Sequence, residues 1–256
     1  MKPLSLVAER MPPQIFVRIV ALQYWLMEPE LRHLDAFVPS GKNAVDVGTW
    51  WGPWSLWLAR RVPHVHAFEP NRTIFDNLRD ALPGNVDLHN VALSDDQAQA
   101  TLWSPVGGRG TEGRSSVLSH DRDGWIKQPI TTVALDEFGF TNVGFVKVDV
   151  EGHELAVLRG SAELIERERP NVLVEVEQAH QSGAEAEAVF SYFTERGYSG
   201  SFFAQKRWRP LTEFDREEAR RMGERVKSMG MLHATVMRSG ERYTHNFLFR
   251  PENPRQ

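Results

Sequence analysis

The feature that most constrains the fold is the segment from Asn43 to Trp54, which reads NAVDVGTWWGPW. Its apolar, β-branched start, Ala44 to Val47, is typical of a parallel strand that is covered on both faces. Gly48 and Gly52 then bracket a tight turn, in which the backbone can approach a ligand closely. The segment therefore predicts a buried strand that turns into a helix, with a ligand bound at the turn.

The sequence of the turn distinguishes two classes of adenosine cofactor. A dinucleotide-binding turn reads G-x-G-x-x-G and holds a pyrophosphate, whereas this turn reads G-x-x-x-G and follows Asp46. A carboxylate here would repel a pyrophosphate and attract a cation, such as the amino-acid ammonium of S-adenosylmethionine. The turn therefore favours S-adenosylmethionine over NAD.

Glu69 supports a bound adenosine without choosing its class. It lies 21 residues after Gly48, at the end of a strand predicted for His64 to Phe68, where a carboxylate can accept hydrogen bonds from a ribose diol. The alternative is an acid that complements the dipole of a helix predicted for Asn71 to Leu82. The full set of predicted cofactor-binding residues is Asp46, Gly48, Thr49, Trp50, Gly52, Glu69, Pro70, Asn71, Ser94 and Asp95. The last two are expected at the adenine edge or, alternatively, in a simple turn.

Taken in order, several motifs resemble those of the FkbM family of S-adenosylmethionine-dependent methyltransferases. They are DVGTWWG, AFEPN, NVALSD, TTVALDEFG, KVDVEGHELAVLRG and the closing NFLFRP. The resemblance covers roughly residues 40 to 180 and that last segment. It implies a doubly wound, Rossmann-like domain that O-methylates a hydroxyl of a sugar, glycolipid or secondary metabolite. The family often reads DVGANVG, whereas this chain places Thr49, Trp50 and Trp51 in the loop, which puts in doubt any small polar contact made there.

Composition bounds the other possibilities. The chain has 256 residues, a net charge of −4 and no cysteine, which fits one domain over residues 41–256 after a helical extension over residues 1–40. Without a basic stripe, no nucleic-acid partner is expected, and the lack of cysteine fits the cytoplasm.

The apolar stretch from Ile15 to Met27 is too short and too polar to span a membrane. It is read as a helix packed on the domain, with a homodimer contact or a surface for a lipid-linked substrate as alternatives.

Strands and helices alternate along the chain, which predicts a mostly parallel, doubly wound sheet with an antiparallel last strand. Helices are predicted for Pro13 to Met27, Pro29 to Phe37, Ala184 to Arg196 and Thr212 to Ser228. Strands are predicted for Ala44 to Val47, His64 to Phe68, Val86 to Ala92, Ala100 to Trp103, Ile130 to Val133, Phe145 to Val150, Val172 to Glu177, Tyr198 to Phe203 and Thr244 to Phe249. The loop from Ser104 to Ser116 is rich in glycine and carries Arg109 and Arg114; it is either a lid that meets an anionic group or a surface hairpin.

Two neighbouring strands place charge on one face. Lys147 and Asp149 alternate with valines, as do Glu175 and Glu177. A lysine in a buried sheet needs a partner, so Lys147 is predicted to pair with Glu175 or Asp149. The candidate catalytic residues are His153, Asp149, Glu151, Lys147 and Glu175.

Within this group, His153 is the preferred general base, oriented by Asp149 or Glu151. A structural or solvated histidine is the alternative. In a second mechanism, Asp149 and Glu151, with Glu175 or Glu177, hold Mg²⁺ or another hard cation, which binds and acidifies a pair of hydroxyls.

The prediction is therefore an S-adenosylmethionine-dependent O-methyltransferase with a small-molecule or glycosylated hydroxyl acceptor. Two alternatives stay open. One is an NAD-linked oxidoreductase or epimerase, and the other is a non-catalytic module that binds S-adenosylmethionine. Trp50, Trp54 and Trp57 are either a stacking wall for a sugar or helix packing.

Overall fold

The computed structural model describes residues 10–107, 109, 115–117, 123–176, 183–228 and 244–252. The strands in this part of the chain are β1 (Asn43–Val47), β2 (Val65–Phe68), β3 (Val86–His89), β4 (Ala92–Leu93), β5 (Ala98–Pro105), β6 (Trp125–Val133), β7 (Val143–Val148), β8 (Asn171–Glu175), β9 (Tyr198–Ala204), β10 (Arg207–Pro210) and β11 (Asn246–Pro251). The helices are α1 (Pro13–Met27), α2 (Pro53–Leu58), α3 (Arg72–Leu78), α4 (Glu154–Arg159), α5 (Ala162–Glu168), α6 (Gly183–Thr194) and α7 (Arg216–Ser228). Short 3₁₀ helices cover Pro29–Ala36, Leu135–Phe138 and Leu211–Glu213.

Eight strands form one sheet in the order β10-β9-β11-β8-β7-β1-β2-β3. The run from β8 to β3 is parallel throughout, and β11 pairs antiparallel with both β8 and β9. The strands β7 and β8 are buried almost without interruption, as expected where helices cover both faces. The predicted doubly wound, Rossmann-like sheet with an antiparallel last strand is confirmed.

The strand predicted for Val86 to Ala92 is wrong as a single element. The chain leaves the large sheet after His89, and Ala92–Leu93 joins a second sheet of order β4-β6-β5. The cause lies at Asn90, whose side-chain amide donates to the carbonyl oxygens of Glu69 at 2.9 Å and Pro70 at 3.1 Å. These bonds hold the break next to the end of β2.

Two other predicted strands, Phe145 to Val150 and Val172 to Glu177, end earlier than expected. β7 stops at Val148 and β8 at Glu175. Asp149 therefore follows its strand rather than belonging to it, and Glu177 lies outside the described residues.

Helix α1 has the predicted bounds and packs against α2 and α3. Phe16 meets the ring of Trp51 edge to face at 4.8 Å, whereas Ile15, Ile19, Leu22 and Leu26 are exposed. No helix in the described ranges is long and apolar enough to cross a bilayer. The division at residue 40, the homodimer and the cytoplasmic location stay predictions.

Much of the predicted lid lies outside the described residues, including Arg114 and most of its glycines. Arg109 is described, and its guanidinium donates to the Met11 carbonyl at 2.7 Å and to the Asn77 side-chain oxygen at 2.9 Å. This arginine therefore binds the protein's own N-terminal helix region. Its predicted contact with a substrate stays a prediction, as does the lid.

Candidate functional site

A cavity opens at the carboxyl ends of β1, β2 and β7, the edge at which ligands bind in sheets of this kind. Ten predicted site residues line it: Asp46, Gly48, Thr49, Trp50, Glu69, Pro70, Lys147, Asp149, Glu151 and His153. Its apolar walls are formed by Phe68, Ile74, Val91, Ala92, Leu93 and Leu102. Most of the residues selected from sequence are thus brought together in one place.

Five predicted site residues contribute elsewhere than to the cavity wall: Gly52, Asn71, Ser94, Asp95 and Glu175. At Gly52 a Cβ would lie 2.9 Å from the Leu82 side chain, so this glycine serves the packing of the turn rather than the approach of a ligand. Asn71 caps α3, because its side-chain oxygen accepts the backbone N–H groups of Thr73 and Ile74.

Gly48 is required by a contact inside the protein. Its φ is +77°, and a Cβ there would lie 1.8 Å from the backbone oxygen of Asp149. The Asp149 N–H in turn donates to the Val47 carbonyl at 3.0 Å. The glycine therefore lets the loops after β1 and β7 meet, and this contact fixes the floor of the cavity.

Glu69 holds two loops at the rim. One carboxylate oxygen accepts the N–H of Trp50 at 2.8 Å and the other accepts the N–H of Asn71 at 2.7 Å. Trp50 has a φ of +48°, a conformation that a bulky residue adopts only when its surroundings hold it there. Glu69 thus has a structural function besides its predicted ribose contact.

Asp46 is buried on β1 beside Lys147, its partner in the sheet register. One of its oxygens accepts the Ser55 hydroxyl at 2.6 Å. Burial raises the pKa of Asp46 to about 6, while the Ser55 hydrogen bond and the charge of Lys147 act in the opposite direction. The carboxyl group is mainly ionised at neutral pH and can attract a cation.

Lys147 is the centre of a buried charge cluster. Its Nζ lies 3.8 Å from both Asp149 Oδ2 and Glu175 Oε2, which confirms the predicted pairing. The same ammonium donates to the Asn246 side-chain oxygen at 3.3 Å. Burial lowers the pKa of Lys147, but Asp149, Glu175 and two further acids outweigh it and the pKa is raised. Lys147 is therefore charged, and it stabilises acids that would otherwise be costly to bury.

Sequence reasoning missed Glu28 as a member of this cluster. The residue follows α1 and is buried, with its Oε2 accepting the Trp54 indole N–H at 2.8 Å. Burial, with the charge of Glu175, raises its pKa well above the usual range. A sequence signal was missing, because only tertiary packing brings this helix end to Lys147.

Asp149 is a member of the cluster that also lines the cavity. Burial raises its pKa to about 7, and the charge of Glu175 together with a hydrogen bond to that carboxyl group adds to the shift. Water moderates this shift, since 31% of the side chain is exposed. Asp149 can therefore exchange a proton near neutral pH.

The predicted Mg²⁺ site gains no support from this geometry. Within the described ranges, Asp149 and Glu151 do not belong to a group of three ligand atoms that lie within 4.8 Å of one another. The positive charge beside Asp149 is that of Lys147. Mg²⁺ at this position stays a prediction.

His153 directly precedes α4 as its N-cap residue, and it has a different partner from the ones predicted. Its Nε2 lies 2.9 Å from the Ser94 hydroxyl, and Ser94 donates to Asp95 Oδ1 at 3.1 Å. Because a carboxylate only accepts, the serine proton is committed to Asp95, and His153 Nε2–H is the donor to Ser94. The prediction that Asp149 or Glu151 orients the ring is wrong: Ser94 does, leaving the Nδ1 lone pair free to accept a proton.

The surroundings of His153 also keep the ring neutral. Burial lowers its pKa, and the charges of Asp95 and Asp96 only partly oppose the shift. Ser94 and Asp95 thus act on the histidine, while Val91, Ala92 and Leu93 form the wall beside them. A contact of Ser94 or Asp95 with adenine stays a prediction.

The tryptophans divide between packing and the cavity. Trp54 stacks on Phe145 of β7 at 6.3 Å, and Trp57 stacks on Trp25 of α1 at 6.1 Å. The packing interpretation is confirmed for these two, although Trp54 also borders the cavity. Trp50 lines the cavity next to Tyr24. Its indole Nε1 is buried and has no hydrogen-bond partner in the described part of the chain.

A family model for the methyltransferase FkbM domain matches residues 35–199. The chain belongs to the FkbM methyltransferase family. The resemblance carried by the motifs is thereby confirmed, and the match includes every predicted catalytic and cofactor-binding residue described above.

Two relatives place this FkbM protein further. It is 36% identical over 105 residues to the hexuronic acid methyltransferase AglP of Haloferax volcanii, over 38% of this chain and 41% of that protein. It is also similar to the crystal structure of the methyltransferase FkbM from Methylobacillus flagellatus, with a TM-score of 0.51 and 14% identity over 82% of this chain and 44% of that one. The chain thus spans less than half the length of either relative, and the structural likeness concerns the fold alone.

Proposed function

We propose that this protein is an S-adenosylmethionine-dependent O-methyltransferase. The proposal rests on the acidic side chains that line the cavity in a chain of the FkbM family. Four acidic residues, Asp46, Glu69, Asp149 and Glu151, line an apolar recess at the carboxyl edge of the sheet. Among the lining residues, Lys147 is the single lysine or arginine. Its ammonium group is paired with the carboxylates of Asp149 and Glu175.

These acidic side chains fit a cationic adenosine cofactor better than a dinucleotide. A pyrophosphate needs free N–H donors or basic side chains, whereas a sulfonium with an ammonium group is attracted by acids. The apolar wall of Val91, Ala92 and Leu93 suits an adenine ring, and Glu69 suits the ribose hydroxyls. The indole Nε1 of Trp50 supplies a buried donor still in need of an acceptor.

When bound, the cofactor supplies an electrophilic methyl group on sulfur. The residues of the chain must then hold an acceptor oxygen in line with that group and remove its proton. His153 suits the second task, because the Ser94–Asp95 pair holds the proton on Nε2 and leaves Nδ1 as the base. Asp149 is the second candidate, since its pKa of about 7 allows it to accept a proton at neutral pH.

The acceptor is proposed to be a hydroxyl of a sugar, with a hexuronic acid as the first class to test. This choice rests on the name of the Haloferax volcanii relative. A glycolipid acceptor is compatible with the proposal, because helix α1 presents apolar side chains to solvent that a lipid tail could contact. These are Ile15, Ile19, Leu22 and Leu26.

The cofactor proposal is tested by calorimetric titration with S-adenosylhomocysteine, which needs no acceptor. Wild-type protein is expected to bind one molecule per chain. Glu69→Gln should weaken binding by about tenfold or more, because it loses a charge-assisted bond to the ribose and loosens the Trp50 loop. Asp76→Asn changes a carboxylate of α3 that pairs with Arg72 on the surface, and it should bind as wild type does.

Titration with NAD separates the alternatives. Binding of NAD without S-adenosylhomocysteine would replace the proposal with a dinucleotide enzyme. Binding of S-adenosylhomocysteine that is equally tight in Glu69→Gln would remove Glu69 from the site. Tight cofactor binding with no methylated product across sugar acceptors would favour the non-catalytic module.

A general-base role for His153 predicts a separation of binding from turnover. His153→Ala should lower turnover by about 100-fold or more, while its affinity for S-adenosylhomocysteine stays within about threefold of wild type. Because the pKa of His153 is lowered, the wild-type rate should fall only below the usual titration range of histidine. Steady-state rates from pH 5 to 9 check this.

Ser94→Ala should reduce turnover less than His153→Ala and move the acid limb of the rate profile, because the ring loses the partner that fixes its tautomer. Retained turnover in His153→Ala would assign the proton transfer to Asp149 instead.

A further inference from the structure

A second group of chemically active side chains lies away from the cavity, where β2 and β3 begin. His66 and Asp87 are partners in the parallel register of these strands. His64 lies two residues before His66, so both imidazoles project from the same face of the sheet. None of these three side chains lines the cavity.

The three side chains converge on one point. His64 Nε2 lies 2.7 Å and His66 Nδ1 lies 4.0 Å from the same oxygen, Asp87 Oδ2. All three ligand atoms lie within 4.8 Å of one another. Ligands at 2.0–2.1 Å from a tetrahedral zinc ion are separated by about 3.3 Å, and the two observed distances fall on either side of this value.

His66 is held in position for such a role. Its ring stacks on Phe140 with centroids 3.7 Å apart and an angle of 11° between the planes. Its Nδ1 is buried, and within the described ranges this atom has no hydrogen-bond partner. A buried polar atom without a partner costs free energy, and a metal ion beside Asp87 would remove that cost.

We propose that His64, His66 and Asp87 form a binding site for a divalent transition metal, with Zn²⁺ as the expected ion. Two imidazoles and one carboxylate are ligands that zinc prefers, whereas Mg²⁺ requires oxygen ligands.

The surroundings allow a metal ion to enter. His64 is 32% and Asp87 58% exposed, so an ion can reach the site from solvent and water can take the fourth position. Small rotations of these exposed side chains would equalise the two distances. Because the ligands come from adjacent strands, the ion would clamp the edge of the large sheet.

The test is a calorimetric titration of untagged, chelator-stripped protein with ZnCl₂ and, separately, with MgCl₂. Wild type is expected to bind one Zn²⁺ per chain and no Mg²⁺ at this site, and its melting temperature should rise with Zn²⁺. His64→Gln and Asp87→Asn should each weaken zinc binding by at least about tenfold, since even partners outside the ligand set contribute this much. His33→Gln, at an exposed histidine of the first 3₁₀ helix, should bind as wild type does.

Two outcomes would overturn the proposal. One is zinc binding that survives both ligand substitutions. The other is binding that is lost in Glu28→Gln but kept in Asp87→Asn, because Glu28, Glu175 and His245 form the other group with metal-ligand spacing in the described ranges. Neither outcome depends on methyltransferase activity.

Discussion

Gly48→Ala is expected to abolish binding of S-adenosylhomocysteine and to destabilise the fold by at least about 3 kcal/mol. The added methyl group would lie 1.8 Å from the Asp149 backbone oxygen and 2.9 Å from its carbonyl carbon. Backbone atoms cannot yield as the end of a side chain can. The loop after β7 must therefore move, and it carries the acids that face the cavity. Urea unfolding and calorimetric titration measure the two effects.

Gly84→Ala provides the matched control, because a Cβ at Gly84 meets no atom within 4 Å and its backbone is not left-handed. This variant should unfold within about 1 kcal/mol of wild type and bind S-adenosylhomocysteine normally. Normal ligand affinity in Gly48→Ala would show that the two loops can separate without damage to the site.

Lys147→Met is expected to lower the free energy of unfolding by about 3–5 kcal/mol at neutral pH. The substitution leaves Asp46, Asp149 and Glu175 buried without the ammonium that lies beside them. The pKa values of Asp46 and Asp149 must then rise above about 6 and about 7, respectively. When a carboxyl group has a higher pKa in the folded than in the unfolded state, the free energy of unfolding of the protein decreases as pH rises. The loss of stability caused by Lys147→Met should therefore be larger at pH 8.5 than at pH 5.5.

Urea unfolding at the two pH values checks this result, with Lys42→Met as the control at a partly exposed lysine outside the cluster. The control should change stability by less than about 1 kcal/mol at either pH. A defect in Lys147→Met that is independent of pH would show that packing, rather than charge, is what Lys147 contributes.

The sequence predicted the elements whose signals are local. Helix α1 begins with a proline in its first turn and carries a long apolar pattern, and its bounds were predicted to the residue. The lysine of β7 required a carboxylate partner on chemical grounds alone, and the neighbouring strand supplies one. The position of the cavity follows from the direction of the parallel strands.

The features that were missed depend on residues far apart in sequence. The break after β3 depends on Asn90, whose bonds reach back 20 and 21 residues to the Glu69–Pro70 turn. The Ser94–His153 contact joins residues 59 apart. A pattern of neighbouring residues cannot encode such contacts, so the turn at β3 and the orientation of the histidine were beyond prediction.

The position of β11 has a consequence for the order in which the molecule assembles. This strand lies between β8 and β9 and brings Asn246 to Lys147, although it is separated from β9 by more than 40 residues of chain. Until residues 246–251 have left the ribosome, β8 and β9 lack the strand that joins them, and the lysine with its acids remains open to water. The insertion of β11, which buries Lys147 and its acids, is therefore a late folding event between segments far apart in sequence. Chains that leave the ribosome before this step would expose the unpaired edges of β8 and β9 to other nascent proteins.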